Sequence, residues 1–376
     1  MRIVVAKRTG RRGAGLGNEM LAWGKGWIAS QVLDARLIGP SWGLNQRRYD
    51  RNFRTSRLDF VAEDALARLA PHRFTESDYR ATGLVDFGDA LEMWARGRGL
   101  DRRGSYLVAV EGMWGGYAAI RRAREFLLAQ LLNSRGALRN AFGAVRRDRT
   151  KLFVTVHMRA ARDGFTAPGK DEDVRGRFNI FVPGEWYLWV CDALRSEFGE
   201  RIQFYFLTDR RDEVFEEAVR RFNPGQLHQT GLTECSDLLL MTEADLRVCS
   251  VSSYSLAACF LSDGPYLWYE PQLTLRDGAY SLWGDEKDQQ HSTSATGRSI
   301  AYLRGQESVE KVGESALGAA MKIGDLLPSG LVKQLWRRVE SLDPRTNLLD
   351  YGAIPSEEHG AKLARAGSQY DPEVRV

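Results

Sequence analysis

The stretch KLFVTVHMRAARD, residues 151–163, decides the reading of the fold. Residues 151–158 are mostly apolar or β-branched, the composition of a strand buried on both faces. The run then breaks into Arg159, Arg162 and Asp163. In open α/β sheets, ligands bind beyond the carboxyl ends of strands. The segments that follow alternate. Helical spacing covers 183–198, with Pro183 near its first turn. Strand patterns at 202–209, 226–230, 245–250 and 265–271 are separated by helical patterns at 212–222, 235–244 and 253–262. Strands separated by helices of about ten residues imply a parallel sheet covered on both faces.

The first half opens in the same way. RIVVA (2–6) reads as a buried strand, and GAGLGNEML (13–21) as a glycine-rich loop running into a helix at 18–33, with Asn18 placed to cap its start. A further strand is expected within 35–42. Residues 43–104 are Arg-rich and irregular, with short helical patches. A strand spans 105–112, and 117–142 is a long amphipathic helix or a pair of helices. The polar run at 145–150 marks a boundary. The expected organisation is an N-terminal Rossmann-like domain over 1–148, a nucleotide-binding domain over 149–305, and C-terminal helices with a weakly ordered tail over 306–376. The basic amphipathic helix at 332–342 is expected to pack on its own domain, with membrane contact at most peripheral.

Composition bounds the function. The chain has 376 residues, 43% hydrophobic and 27% charged, with a net charge of +4. Such a mild excess suits an enzyme that aims a few arginines at phosphates and does not call for nucleic acid. Four cysteines without a C-x-x-C pair and five scattered histidines suggest neither a disulfide framework nor a metal site. The opening residues do not read as a signal peptide and no run is long enough to span a membrane, so a cytoplasmic protein is expected. Richness in Arg, Ala and Gly suggests a bacterial source.

Three motifs carry candidate chemistry. Gly13, Gly15 and Gly17 give G-x-G-x-G; a dinucleotide fingerprint needs G-x-G-x-x-G and an acid after the second strand, and a P-loop needs G-K-[ST]. Two readings stay open. One is a turn where only glycine fits. The other is a backbone surface that admits a bulky ligand, with Asn18 as a polar hand. In the second motif, Arg159 is suited to a diphosphate because its planar fork makes charge-assisted bonds to phosphate oxygens; the plain alternative is an ion pair with Asp163. His157 alone reads as a satisfied core histidine. In the third, VCSVSSYSLAA (248–258), Ser250, Ser252, Ser253 and Ser255 stand where a strand hands over to a helix. They suit either an anion at the helix N-terminus or simple capping. Asp209 ends a strand and suits either a ribose or base contact or a helix cap.

Taken in order, these stretches resemble the fucosyltransferase superfamily of GT-B glycosyltransferases. GLGNEM (15–20) resembles its G-x-[GL]-G-N-Q-M opening and VHMRAARD (156–163) its H-x-R-R-G-D motif. FYFLTD (204–209) resembles its strand ending in T-D, and residues 236–261 its E-D-L-x-L-M…S-N-S-[ST]-F-S-x-W-A-A segment. The resemblance spans roughly 1–272. It implies an α/β, GT-B-like fold of two facing Rossmann-like domains with parallel sheets. It also implies a metal-independent, inverting transfer of a sugar, fucose in this family, from a GDP-sugar to a hydroxyl acceptor, with no cofactor. Carried over, Arg159 engages the donor β-phosphate and Asn18 faces the reaction centre. Gly15, Gly17, His157, Arg162, Asp209, Ser252, Ser253, Tyr254 and Ser255 fall on the donor side. Glu19, Asp163 and Glu111 are the candidate bases. The chain departs from the pattern at Ala160, at the extra residue before Asp163, at Glu19 where the motif has Gln, and at Leu256 where it has Trp. The partners expected are a nucleotide-sugar donor and a glycan, lipid, peptide or metabolite acceptor. Alternatives are a scaffold that binds without turnover, a transferase using another nucleotide sugar, and a different α/β enzyme.

Overall fold

The structure, a computed structural model, describes residues 1–7, 15–42, 47, 49–53, 57–84, 86–100, 104–112, 116–134, 147–159, 182–226, 234–250, 252–262, 264–269, 274–276, 279–281, 319–321, 327 and 329–342. The chain divides into two compact units between Leu138 and Arg139.

The first unit runs β1 (Arg2–Lys7), α1 (Leu16–Val32), β2 (Arg36–Ile38), α2 (Asp50–Phe53), α3 (Arg57–Leu69), β3 (His72–Phe74), α4 (Glu76–Thr82), α5 (Phe87–Gly97), β4 (Tyr106–Glu111), α6 (Gly116–Ala119) and α7 (Arg124–Leu132). Its strands form one parallel sheet in the order β2-β1-β4-β3. β1 is central because Val4, Val5 and Ala6 are wholly buried. Ile3 and Val5 meet Ala67 of α3 on one face, and Ala6 meets α1 on the other. There the helix backbone rides directly on the strand: a Cβ added at Gly26 would lie 2.4 Å from the Ala6 Cβ. Residues 43–104, expected to be irregular, hold α2 to α5 and the edge strand β3. α4 and α5 start at side-chain caps, Thr75 with Asp78 as a capping box and Asp86 on the amides of Gly88 and Asp89. The described part of 117–142 is broken into α6, a 3-10 turn at Arg121–Ala123, and α7.

The second unit runs β5 (Leu152–Met158), α8 (Gly184–Phe198), β6 (Ile202–Thr208), α9 (Glu213–Phe222), α10 (Glu234–Thr242), β7 (Leu246–Val248), α11 (Ser253–Leu261), β8 (Tyr266–Tyr269), the hairpin β9 (Thr274–Arg276) and β10 (Ala279–Ser281), β11 (Ala319–Met321) and α12 (Ser329–Ser341). Its sheet is parallel throughout, in the order β11-β8-β7-β5-β6. Val154, Val156, Phe204 and Phe206 point into a core shared with Trp186, Val190 and Leu194 of α8, Phe215 of α9, and Leu331, Leu335 and Val339 of α12. The basic helix therefore buries its apolar face within the second unit. On the opposite face His157 and Tyr205 turn toward α11 and α10. Of the strand expected at 226–230, Gln226 is described and the rest lies outside the described residues. Gln226 uses its side chain as a strand partner: its Oε1 accepts from the Phe206 amide at 3.0 Å and its Nε2 donates to the Phe206 carbonyl at 2.6 Å. Asn223 donates to the Phe204 carbonyl at 2.6 Å. Together they cover the open edge of β6.

The fold is thus mixed α/β with two parallel sheets. Among the described residues no helix is long and apolar enough to cross a membrane.

Candidate functional site

Both sheets reverse direction at their centre. In the second, the chain leaves β5 for β6 on one side, then crosses to β7 on the other. The carboxyl ends of β5 and β7 therefore flank the switch point, where open α/β sheets hold ligands. Arg159 follows β5, and the turn into α11 follows β7. The strands are in register at Val156 and Val248, which brings the second and third sequence motifs together.

His157 is buried, and its Nδ1 lies 2.8 Å from the Ser255 hydroxyl and 2.9 Å from that of Ser250. Tyr254 packs against the ring with centroids 5.3 Å apart. Desolvation, with the nearby Arg159 charge second, lowers the His157 pKa from 6.5 to about 3. The ring is neutral near pH 7 and serves as a polar peg between β5 and α11. The reading of a satisfied core histidine fits this geometry, and neither its pKa nor its burial suits it to accept a proton.

The serines divide by role. Ser252 caps α11, its Oγ accepting from the Tyr254 amide at 3.1 Å. Ser250 and Ser255 engage His157. Ser253, half-buried, is the first helical residue. The first-turn amides of α11 have no intrahelical acceptor by construction, so this end of the helix favours an anion. Tyr254 donates its hydroxyl to the Glu234 carbonyl and so ties α11 to α10.

Arg159 has its Nε 3.7 Å from Oδ2 of Asp209, with 31% and 40% of their side chains exposed. Among the described residues its ion-pair partner is Asp209 at the end of β6; the alternative pair with Asp163 falls on a residue outside them. A half-exposed pair at this separation contributes about 0–1 kcal/mol. Asp209 is not a helix cap; Asp212 caps α9 by accepting from the Phe215 amide at 2.9 Å. Arg162 and Asp163 lie outside the described residues.

In the first unit, Gly15 is the N-cap of α1 with φ −63°, and a Cβ there would meet only the Arg47 Cζ, at 3.9 Å. At Gly15 itself neither the φ nor the described neighbours demand glycine. Gly13 lies outside the described residues. Asn18 is not the cap; it is the third helical residue, its amide donating to the Gly15 carbonyl at 2.9 Å. The Gly17 carbonyl accepts from the buried Tyr117 hydroxyl at 2.6 Å. Glu19 is wholly buried. Glu111 ends β4 beside Lys7, the last residue of β1. Gly15, Gly17, Asn18 and Glu111 thus gather at the switch point of the first sheet.

Sequence reading missed Lys25 and Arg247, both wholly buried. Lys25 donates to the Gly112 carbonyl at 3.0 Å, and desolvation lowers its pKa well below 10.5. Arg247 donates to the carbonyls of Pro265, Thr242 and Ala244 and to the Ser262 hydroxyl. A charge inside a strand or helix carries no local signal of its carbonyl partners. Among the described residues no group of three or more His, Cys, Asp or Glu side chains could hold a metal ion. Compared with known protein families and with curated proteins, the chain matches none.

Proposed function

We propose that the chain is a glycosyltransferase that binds a nucleoside-diphosphate sugar at the carboxyl edge of the second sheet. The observation that carries the reading is the placement of Arg159 beyond β5, beside Asp209 and next to the strand that leads into the N-terminus of α11. A guanidinium and a helix dipole then act on one diphosphate. The motif resemblance supplies the finer assignment: a GT-B enzyme, inverting and metal-independent, with GDP-fucose as donor.

In this reading the acceptor oxygen attacks the anomeric carbon from the face opposite the diphosphate. The carbon–oxygen bond to the diphosphate breaks and its electron pair leaves with the phosphate. Arg159 stabilises the charge that grows there. The acceptor proton passes to a carboxylate; geometry ranks a base before its pKa does.

Incubation with GDP-fucose and a panel of hydroxyl acceptors tests the reading by following GDP release together with the glycosylated product. Product formed by wild type and lost in Arg159→Ala supports it. Nucleotide binding without turnover on any acceptor favours the scaffold alternative. Turnover of a UDP- or dTDP-sugar alone keeps the transferase and removes the fucose assignment.

A further inference from the structure

Tyr187 lies in the first turn of α8, the helix that leads from β5 to β6. The residue is 2% exposed and its O–H has no acceptor among the described residues. Among the other buried hydroxyls of this unit, those of Ser250 and Ser255 sit on His157 and that of Thr242 on the Leu238 carbonyl, whereas that of Thr155 in β5 is, like that of Tyr187, without a partner among the described residues. The Tyr187 ring is held in place edge-on to Trp186, with centroids 5.0 Å apart, in a core that includes Met158 and Val182. Its oxygen lies against the Arg159 amide, a weak main-chain contact that gives its own O–H no acceptor, and within electrostatic reach of Asp209 and Cys249. Those three residues follow β5, β6 and β7, so the phenol stands at the same carboxyl edge as Arg159. Burial raises its pKa well above 10, which leaves the group a proton donor at every working pH. A fixed, dehydrated donor with no acceptor is costly to fold around. An anionic oxygen held by Arg159 removes that cost.

We propose that the Tyr187 hydroxyl donates to a phosphate oxygen of the bound nucleoside diphosphate, alongside Arg159. The assignment rests on the nucleotide-sugar reading. A hydrogen bond to a charged acceptor is strong enough that its loss weakens binding by about tenfold or more.

Tyr187→Phe removes the oxygen and keeps the ring. The test titrates wild type and Tyr187→Phe calorimetrically with GDP, UDP and inorganic pyrophosphate, and records thermal melts without ligand. The expected result is a ligand-free melt at or above that of wild type, with diphosphate affinity about tenfold or more weaker. Equal affinity in the two proteins overturns the assignment while leaving the nucleotide reading standing. A clear fall in the ligand-free melt also overturns it, because the hydroxyl would then have a partner within the fold. If wild type binds neither nucleotide nor pyrophosphate, the nucleotide reading fails and takes this assignment with it.

Discussion

At the scale of single residues, His157 near the end of β5 and Arg159 just past it sit two positions apart and do different work. Arg159 is part-exposed and faces Asp209 across 3.7 Å. Its replacement by Ala is expected to lower transfer by about 10²–10³, as for loss of a donor to a developing negative charge. The fold should be retained, which circular dichroism checks. His157 is a structural peg. Its removal leaves the Ser250 and Ser255 hydroxyls facing a cavity, so His157→Ala should cost about 2–4 kcal/mol by denaturant titration. Its pH dependence has a definite sign. The folded pKa is depressed to about 3 from 6.5, so between those values the unfolded chain binds the extra proton. The contribution of His157 is complete above about pH 6.5 and declines as pH falls, by up to about 1.4 kcal/mol per unit. A His157→Gln variant should lose that slope; an unchanged slope would show that the ring is charged in the folded state.

At the scale of elements, glycine has its strongest packing role away from the loop. Gly26 lets α1 lie on β1, and Gly24 faces Ile120, where an added Cβ would come to 2.8 Å of its Cδ1. Gly26→Ala is expected to destabilise the first unit by about 1–3 kcal/mol through overpacking, whereas Gly15→Ala should be nearly neutral to stability; chemical denaturation of the two variants side by side decides it. The glycine spacing of 13–17 was legible in the sequence, but a steric role for glycine depends on the facing strand, which no local pattern reveals. The strand–helix alternation of 151–271 was legible because both sheets are buried and their strands read as apolar runs. The edge strands β3 and β11 were not, since three residues carry too little periodicity. The buried charges at the amino end of the second sheet were likewise silent. There Asp245 accepts from the Phe153 amide at 2.8 Å and from the Arg338 Nε at 2.7 Å. Beside it, desolvation raises the Glu243 pKa from 4.5 to about 8, with the charges of Arg147 and Arg247 opposing. A raised carboxyl contributes stability below its unfolded pKa and loses it as pH climbs toward 8. Glu243→Gln should therefore match wild type below about pH 4.5 and exceed it increasingly as pH climbs toward 8, by up to about 1.4 kcal/mol per unit; parallel stability curves for the two proteins would contradict this.

At the scale of the whole molecule, each of the two parallel sheets has a switch point, and the residues singled out from sequence fall at one or the other. Gly15, Gly17, Asn18 and Glu111 belong to the first unit, and His157, Arg159, Asp209 and Ser250 to Ser255 to the second. The sequence was therefore most informative where strands end in polar residues, because that transition is local. It read α12 as a basic amphipathic helix packing on its own domain, but not that Leu331, Leu335 and Val339 complete the second core, because the helix is distant along the chain. Of the possible tests, nucleotide binding is the most direct. Wild type and Arg159→Ala would be titrated calorimetrically with GDP, UDP and dTDP, with and without EDTA. The transferase reading predicts that wild type binds GDP in preference to UDP and dTDP, unaffected by EDTA, and that Arg159→Ala binds it far more weakly. Absence of binding to all three, or equal binding by the two proteins, would contradict it.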